Sequence, residues 1–433
     1  MSLKPNKSNR SKELTNMAAA KNGHTPTLIA SFMHFDLSFM IWVMLGALGN
    51  YIAESLGLGS TEKGIMVAVP ILTGSLLRIP LGLLSDRIGG KRVGTGLLIF
   101  LFIPLTLGWQ FVNNLPALIA VGLMLGTAGA SFAVALPLAS KWYPAERQGL
   151  VMGIAAAGNS GTVIANLAAP RLASVIGWND VLALAMIPLA VVLVAFLMMA
   201  KDRPGSAVKQ PVRGYFTALK QKDLWWFCLI YGVTFGGYVG LSSFLPIFFR
   251  DEYGISKVNA GYLTALAAFV GSGIRPFGGF LADRLGGVRM LGVLLIVISA
   301  LYMLIARIPP LEVTIPILLI AMACLGMGNG ATFQAVPQRF RKEIGVATGV
   351  IGALGGVGGF FLPILLSTAK GATGSFAIGF LLLSSVSCAV GVLLWVLMTK
   401  HHGWKTAWRT QTASSIPTTP VLAAAESSKA ANS

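Results

Sequence analysis

Long apolar segments constrain this chain more than any other feature of its sequence. A helix that crosses a bilayer needs about 20 consecutive, mostly apolar residues. Of the 433 residues, 55% are hydrophobic and only 11% are charged, which excludes an ordinary soluble protein and predicts an all-α membrane protein. Twelve such segments lie near residues 34–54, 62–84, 93–112, 116–139, 147–175, 180–200, 223–249, 258–282, 290–306, 311–336, 345–368 and 374–399.

The two ends of the chain are polar. Residues 1–27 form a basic tail, and the apolar stretch after it is too long for a removable signal peptide and lacks the small-residue cleavage pattern. We therefore expect a retained first span. The tail 401–433 is rich in Ala, Ser and Thr and is predicted to be disordered.

The net charge of +18 raises the question of a nucleic-acid partner. The basic residues, however, form small clusters between the apolar segments and no contiguous stripe, so we expect none. Most of them lie in the two tails and in the loops after even-numbered segments, which predicts that both termini are cytoplasmic and that the protein lies in the cytoplasmic membrane. The loops on the opposite side contain Lys63, Arg171, Arg250, Lys257, Arg307 and Lys370.

The sequence offers no catalytic or metal-binding pattern. Cys228, Cys324 and Cys388 lie singly in apolar segments, without metal-ligand spacing or a disulfide framework, and are predicted to be buried packing residues. The four histidines form no metal site, and no G-x-x-x-x-G-K-[ST] phosphate loop occurs. We expect neither an enzyme nor a cofactor.

An internal repeat divides the chain. RIPLGLLSDRIGGKR at 78–92 matches RPFGGFLADRLGGVR at 275–289 with a shift of 197, and a shift of 200 aligns later glycines and prolines, such as Gly126 with Gly326. The repeat predicts an amino-terminal six-helix half at 28–200 and a carboxyl-terminal half at 223–400, joined by a cytoplasmic linker at 201–222. A midplane site between such repeats is typical of transporters.

The repeated motif resembles the G-x-x-x-D-R-x-G-G-K/R-R loop of the major facilitator superfamily. The resemblance implies that fold and a gating role at the cytoplasmic side. The helix macrodipole disfavours a carboxylate where Asp86 ends its helix, so Asp86 is expected to contact Arg92 and Arg147. The alternative is that the motif supplies only tight-turn glycines and positive-inside arginines. The gating residues would be Gly82, Asp86, Arg87, Gly90, Arg92 and Arg147, with Gly279, Asp283, Arg284, Gly287 and Arg289 in the second repeat.

Two arginines, Arg78 and Arg275, lie inside apolar segments at equivalent places in the repeat. Each precedes a motif aspartate by eight residues, about 12 Å along a helix, so it lies near the middle of a hydrocarbon core about 30 Å thick. Asp36 is the one acid that could reach them. Because a charge at that depth is costly, the site is predicted to be functional, and an anion between the two guanidiniums would relieve their repulsion and accept forked hydrogen bonds. The alternative is that helix carbonyls satisfy each arginine.

Two stretches of small residues form the second informative pattern. They are GIAAAGNSGTVIANLAAPRL at 153–172 and GALGGVGGFFLP at 352–363. Small residues let transmembrane helices approach closely. Asn159 offers an amide where an unpaired polar group is costly, so we predict that it faces the pore, with a hydrogen bond between helices as the alternative.

These arginines and glycine-rich stretches together resemble the nitrate/nitrite porter family within the superfamily. The resemblance implies that Arg78 and Arg275 bind the anion from opposite sides and that Asn159 donates to one of its oxygens. Glycines would allow the rocking helices to approach closely, namely Gly158, Gly161, Gly355, Gly356, Gly358 and Gly359.

The chemistry of nitrate agrees with this hypothesis. Nitrate is too weak a base to be protonated in a cell, so it requires a permanent cation, which arginine supplies. A flat ion also suits aromatic walls, and the candidates are Phe132, Phe235, Tyr238 and Phe333, with Tyr238 preferred because its hydroxyl can donate. Ordinary packing or contact with lipid is the alternative for each ring.

Coupling is less constrained by the sequence. Nitrate uptake against an inside-negative potential needs a co-transported cation such as a proton, whereas exchange of nitrate for nitrite is electrically neutral. Asp36 and His34 are the nearest candidates for a proton carrier, since no acid lies at mid-depth. The FDLSFMIWVMLGALG opening resembles the proton-symporting branch, so we expect nitrate uptake by proton symport, with a nitrate/nitrite antiporter as the alternative.

Other functions remain open at this stage. An exchanger of carboxylates or organic phosphates would require more donors than two arginines and Asn159. Drug efflux favours an acidic cavity, and a nitrate receptor would need an output domain. We expect a monomer that contacts only its anion, protons and the lipid bilayer.

Overall fold

Helices form all the regular secondary structure in residues 23–143, 151, 154–155, 157–204, 219–340, 344–400 and 404, which are the residues that the computed structural model describes. The predicted gating residue Arg147 lies outside them. In chain order the helices are α1 (Thr25–Trp42), α2 (Ser60–Ile88), α3 (Gly90–Gln110), α4 (Leu115–Ser140), α5 (Gly161–Ile176), α6 (Trp178–Met199), α7 (Lys222–Tyr253), α8 (Lys257–Leu285), α9 (Gly287–Ile305), α10 (Leu311–Val336), α11 (Val346–Thr373) and α12 (Ala377–Lys400).

Ten of these helices, α2 to α4 and α6 to α12, are long and apolar enough to cross a membrane. The prediction of an all-α membrane protein is therefore confirmed. Beyond α1, two short helices, Met44–Ala47 and Gly49–Leu56, continue the first predicted span. A 3-10 turn, Ala157–Ser160, leads into α5, and part of the fifth predicted span precedes it outside the described residues.

Helices α2 and α8 are interrupted at equivalent positions of the repeat. The breaks fall at Leu77 and Ile274, which are separated by the same shift of 197. Pro80 and Pro276 lie just beyond the breaks, and a proline removes one helical N–H and crowds the preceding turn. Each break therefore lies directly before one of the two intramembrane arginines.

The turns that follow these helices also match. Gly89 joins α2 to α3 with φ of 101°, and Gly286 joins α8 to α9 with φ of 89°. A side chain would strain the backbone at either angle, so the motif glycines are required by the turn itself. Asp202, just after α6, accepts the backbone N–H of Lys91 at 3.2 Å and ties the first turn to the end of α6.

The centre of the molecule lies around α7, α11 and α2. Helix α7 is the most buried membrane helix, and α11 packs along both α7 and α2. Two of the three cysteines, Cys228 and Cys324, are buried as predicted. The prediction was wrong for Cys388, which is exposed because it lies on the outward face of α12.

Candidate functional site

Arg78 is fully enclosed, with 1% of its surface exposed. Its Nε donates to the carbonyl oxygen of Gly129 at 3.1 Å, and its Nη1 donates to that of Gly352 at 2.7 Å. Gly129 belongs to a 3-10 stretch within α4, and Gly352 belongs to α11. Its Nη2 is buried without a hydrogen-bond partner. Helix carbonyls therefore satisfy part of this guanidinium and leave one nitrogen free.

Three aromatic rings surround the Arg78 guanidinium. Its Cζ lies 5.4 Å from the ring centre of Trp42, 5.0 Å from that of Phe132 and 4.9 Å from that of Phe235. A guanidinium within about 6 Å of an aromatic face is attracted by the ring quadrupole. These rings stabilise the cation without neutralising it, so the charge remains available to an anion.

Arg275, on α8, is half-buried and faces the same aromatic group. Its Cζ lies 5.7 Å from the ring centre of Phe333, and its Nη1 is buried without a partner. Within the described residues, neither Arg275 nor Arg78 forms an ion pair with a carboxylate. The two guanidiniums are close enough to repel each other. A small anion between them would remove that repulsion.

Tyr231, on α7, lies close to both arginines and was missed by the sequence analysis. Its ring stacks on Phe235 at 4.9 Å and meets Phe333 edge-on at 5.0 Å. The hydroxyl is completely buried, interacts electrostatically with both guanidiniums and lies near enough to Arg275 for a weak interaction, although it forms no bond with full hydrogen-bond geometry. The four-residue spacing from Tyr231 to Phe235, which puts both on one helix face, is the signal that could have found it.

Tyr238 lies two turns further along α7 and has a different environment. Its hydroxyl donates to the carbonyl oxygen of Ala268 at 3.3 Å, and its ring packs on Gly271 of α8. The Tyr238 hydroxyl, which the sequence analysis preferred as a donor to the anion, thus donates to the backbone in this structure. Phe132, Phe235 and Phe333, by contrast, are all brought to the arginines.

Asn159 lies in the 3-10 turn before α5. It is 2% exposed, and its Oδ1 has no hydrogen-bond partner. The turn packs against α1 and α8. Asn159 Oδ1 therefore accepts no hydrogen bond from a neighbouring helix, which is the contact expected if the residue served only in helix packing.

The signature glycines of α5 and α11 all lie at close helix contacts. Gly158 and Gly161 pack on the backbone of α1, and Gly358 and Gly359 pack on the backbone of α7. A Cβ on Gly355 would overlap the ring of Tyr231, and one on Gly356 would overlap the side chain of Ser75 in α2. Gly355 thus makes room for Tyr231, and the other glycines allow close contacts of α5 with α1 (Gly158 and Gly161), of α11 with α2 (Gly356) and of α11 with α7 (Gly358 and Gly359).

The motif residues lie at the end of α2 and α8. Asp86 pairs with Lys141, just after α4, at 2.9 Å, whereas Arg92, its expected partner, is exposed. In the second repeat, Asp283 is exposed and Arg284 stacks on Phe280 at 4.3 Å. The anchor of the first motif is therefore a lysine that the sequence did not single out.

Fold and site together define a multi-pass helical membrane protein with two neighbouring arginines in its interior, one fully buried and one half-buried. The model of the Major Facilitator Superfamily matches residues 30–363. The chain belongs to this family.

The curated relatives that the chain resembles are named as nitrate or nitrite transporters. A nitrite extrusion protein of Bacillus subtilis (strain 168) is 36% identical over 358 residues, which cover 82% of this chain and 90% of the relative. A probable nitrate transporter of Staphylococcus haemolyticus is 32% identical and covers 88% of this chain and 97% of its own length. A probable nitrate/nitrite antiporter of Thermus thermophilus is 33% identical, with 79% and 85% covered.

Solved structures agree on the fold. The nucleoside transporter NupG aligns with a TM-score of 0.68 at 14% identity, covering 86% of this chain and 99% of that one. An inward-facing bacterial homologue of the lysosomal transporter Spinster aligns with a TM-score of 0.64 at 18% identity, covering 86% and 94%. At these identities the likeness concerns the fold alone.

Proposed function

We propose that this protein carries nitrate, and also nitrite, across the cytoplasmic membrane by alternating access. The observation that carries the proposal is the pair Arg78 and Arg275, one fully buried and one half-buried arginine without a carboxylate partner among the described residues. Each has one buried nitrogen free of hydrogen bonds. The transport functions for which the curated relatives are named support the choice of nitrate and nitrite.

The donors match a small planar anion. Arg78 Nη2 and Arg275 Nη1 would bind its oxygens from two sides, and the hydroxyl of Tyr231 would donate to a third. The amide of Asn159 is a further donor. The rings around Arg78 leave faces for a flat ion, whereas a bulky carboxylate dianion or an organic phosphate would require more hydrogen-bond donors than the two arginines and Asn159 supply.

We further propose twelve spans arranged as two pseudo-symmetric six-helix halves, 28–200 and 223–400, joined by the linker 201–222. Both termini would be cytoplasmic, and the protein would act as a monomer. The matched breaks of α2 and α8 support the two-half architecture. The motif residues Asp86 and Asp283, with the glycines and arginines beside them, would gate the cytoplasmic side.

Coupling to protons is our preferred mechanism, and nitrate/nitrite exchange is the second candidate because one relative carries that name. A liposome assay separates them. Purified protein is reconstituted with nitrate outside, and uptake is driven either by a pH gradient or by internal nitrite. Symport predicts acceleration by the gradient, and acceleration by internal nitrite alone would refute it in favour of exchange.

The same liposomes test the substrate. Excess nitrite should compete with labelled nitrate, whereas a dicarboxylate or a sugar phosphate should not. Failure of nitrate to enter, or equal competition by a sugar phosphate, would refute the proposed function.

A further inference from the structure

Within the part of the chain that the structure describes, the carboxylate of Asp36, in α1, forms no ion pair with Arg78 or Arg275. Its Oδ1 accepts a hydrogen bond from Ser160 Oγ at 2.5 Å. Ser160 ends the 3-10 turn and precedes the first residue of α5. This bond ties Asp36 to the turn that leads into α5.

Two glycines fix the same turn on α1. A Cβ on Gly158 would lie 2.8 Å from Cδ1 of Phe35 and 2.9 Å from the backbone nitrogen of Asp36. A Cβ on Gly161 would lie 2.8 Å from the carbonyl carbon of Asp36. Asn159 lies between these glycines, so its position relative to α1 is set from both sides.

A short path joins this turn to Arg78. Phe35, which contacts Gly158, lies 5.8 Å from the ring of Phe132. Phe132 in turn lies 5.0 Å from the Arg78 guanidinium. A slip of the turn along α1 would therefore move Asn159 relative to the cation.

We propose that Asp36 is a positioning residue: through Ser160 it holds Asn159 in the register that binds the transported anion. This inference rests on the proposed function. Asp36 would act on affinity for the anion without contacting the anion itself.

The test is a set of KM and maximal-rate measurements for nitrate uptake in liposomes. Asp36→Ala should raise KM about tenfold, the effect of one lost hydrogen bond at the site, with a smaller effect on the maximal rate. Asp36→Asn keeps an acceptor oxygen and should recover most of the affinity. In an Asn159→Ala background, Asp36→Ala should leave KM unchanged.

Two outcomes would overturn this inference but not the proposed function. One is that Asp36→Ala lowers the maximal rate and leaves KM unaltered. The other is that the KM of the double variant rises by the product of the increases caused by Asp36→Ala and Asn159→Ala separately. A merely structural role predicts these outcomes together with a lower melting temperature. Absence of nitrate uptake by the wild-type protein would instead overturn the proposed function and this inference with it.

A separate observation concerns the face of the bundle that carries the α7–α8 loop. Lys63 of α2 pairs with Asp251 of α7 at 2.7 Å, and Lys257 of α8 pairs with Glu54 at the end of the first span. Each bond joins the amino-terminal repeat to the carboxyl-terminal one. Glu54 and Asp251 are separated by 197 residues, the shift of the repeat itself. The two ion pairs are thus reciprocal: each repeat supplies one acid and one lysine.

The surrounding contacts strengthen this arrangement. Lys63 and Asp251 are 18% and 19% exposed, so their pair is partly shielded from solvent. Asn50 Nδ2 donates across the same boundary to the carbonyl oxygen of Pro246 at 2.7 Å. At the opposite face, the described ion pairs, such as Asp86 with Lys141, each remain within one repeat.

We infer that these two ion pairs form a latch that holds this face closed during the transport cycle. Ser367 of α11 is a suitable reporter, since it is 1% exposed and lies against Gly64 of the other repeat. Ser367→Cys, in a background with Cys228, Cys324 and Cys388 replaced by alanine, would be labelled by a membrane-impermeant maleimide in liposomes.

Removing the latch with Glu54→Gln and Asp251→Asn should increase the labelling rate of that cysteine several-fold. The swap Lys63→Asp with Asp251→Lys should restore slow labelling. Glu252→Gln is the matched control, because Glu252 pairs with Lys370 inside one repeat at 2.8 Å and should leave the rate unchanged. Equal labelling in the latch variant and the control would overturn the inference, and so would fast labelling in the swap.

Discussion

Nη1 of Arg78 donates to the carbonyl oxygen of Gly352 at 2.7 Å. Arg78 belongs to the first repeat and Gly352 to the second, so the central cation itself connects the two units that would move in alternating access. An anion bound to the free Nη2 of Arg78 would lie next to the hydrogen bond between Arg78 and Gly352. That bond would form or break as the two halves move. In the proposed mechanism, binding of the anion and movement of the two halves would therefore depend on the same side chain.

Arg78→Lys should reduce nitrate uptake about a hundredfold. An ammonium on a flexible stem cannot maintain the bonds to Gly129 and Gly352 while presenting a third donor, and each hydrogen bond to a charged group is worth about 1.5–3 kcal/mol. Initial rates in liposomes measure the effect. Arg307→Lys, an exposed loop substitution, is the control; similar rates for the two variants would contradict the assigned role of Arg78.

Tyr231→Phe should raise the KM for nitrate about tenfold. It removes the unpartnered hydroxyl and leaves the rings of the site in place. Because an unsatisfied buried hydroxyl contributes no hydrogen bond to folding, the melting temperature should not fall. Uptake kinetics and thermal unfolding check the two expectations.

Tyr302→Phe is a matched control for that change. The hydroxyl of Tyr302 is also buried without a partner, but its ring packs on Phe380, 6.1 Å away, and not on the arginines. Its KM should equal that of the wild type. If both phenylalanine variants behaved alike, Tyr231 would have no specific part in the site.

Gly355→Ala should abolish most transport. The new Cβ would lie 2.9 Å from Cγ of Tyr231 and would displace that ring from the arginines. Gly349→Ala on the same helix meets nothing within 4 Å and should transport normally. Uptake rates at matched expression provide the measurement, and normal transport by Gly355→Ala would argue against a fixed Tyr231.

The sequence predicted the parts of this site that depend on depth and periodicity. Arg78 and Arg275 could be found because charges are rare inside apolar segments and because the repeat gave them equal spacing to Asp86 and Asp283. Their aromatic surroundings were partly predicted, since Phe132, Phe235 and Phe333 were named as walls for a flat anion and the structure brings them to the arginines. These inferences need no knowledge of tertiary contacts.

The remaining features depend on how helices meet. The carbonyl groups of Gly129 and Gly352 carry no signal in a sequence, because every residue has one. Tyr231 and Tyr238 both lie on α7, and only the packing of α8 and α11 distinguishes a free hydroxyl from one bonded to Ala268. From the sequence, Lys63 was likewise predicted to be a loop cation, and only the fold shows that it pairs with Asp251.

The most direct test of the central claim is calorimetric titration of purified protein with nitrate. The wild-type protein should bind one nitrate per chain, and both Arg78→Lys and Arg275→Lys should lose most of the affinity while remaining folded. Undiminished binding in either variant would contradict an anion held between the two guanidiniums.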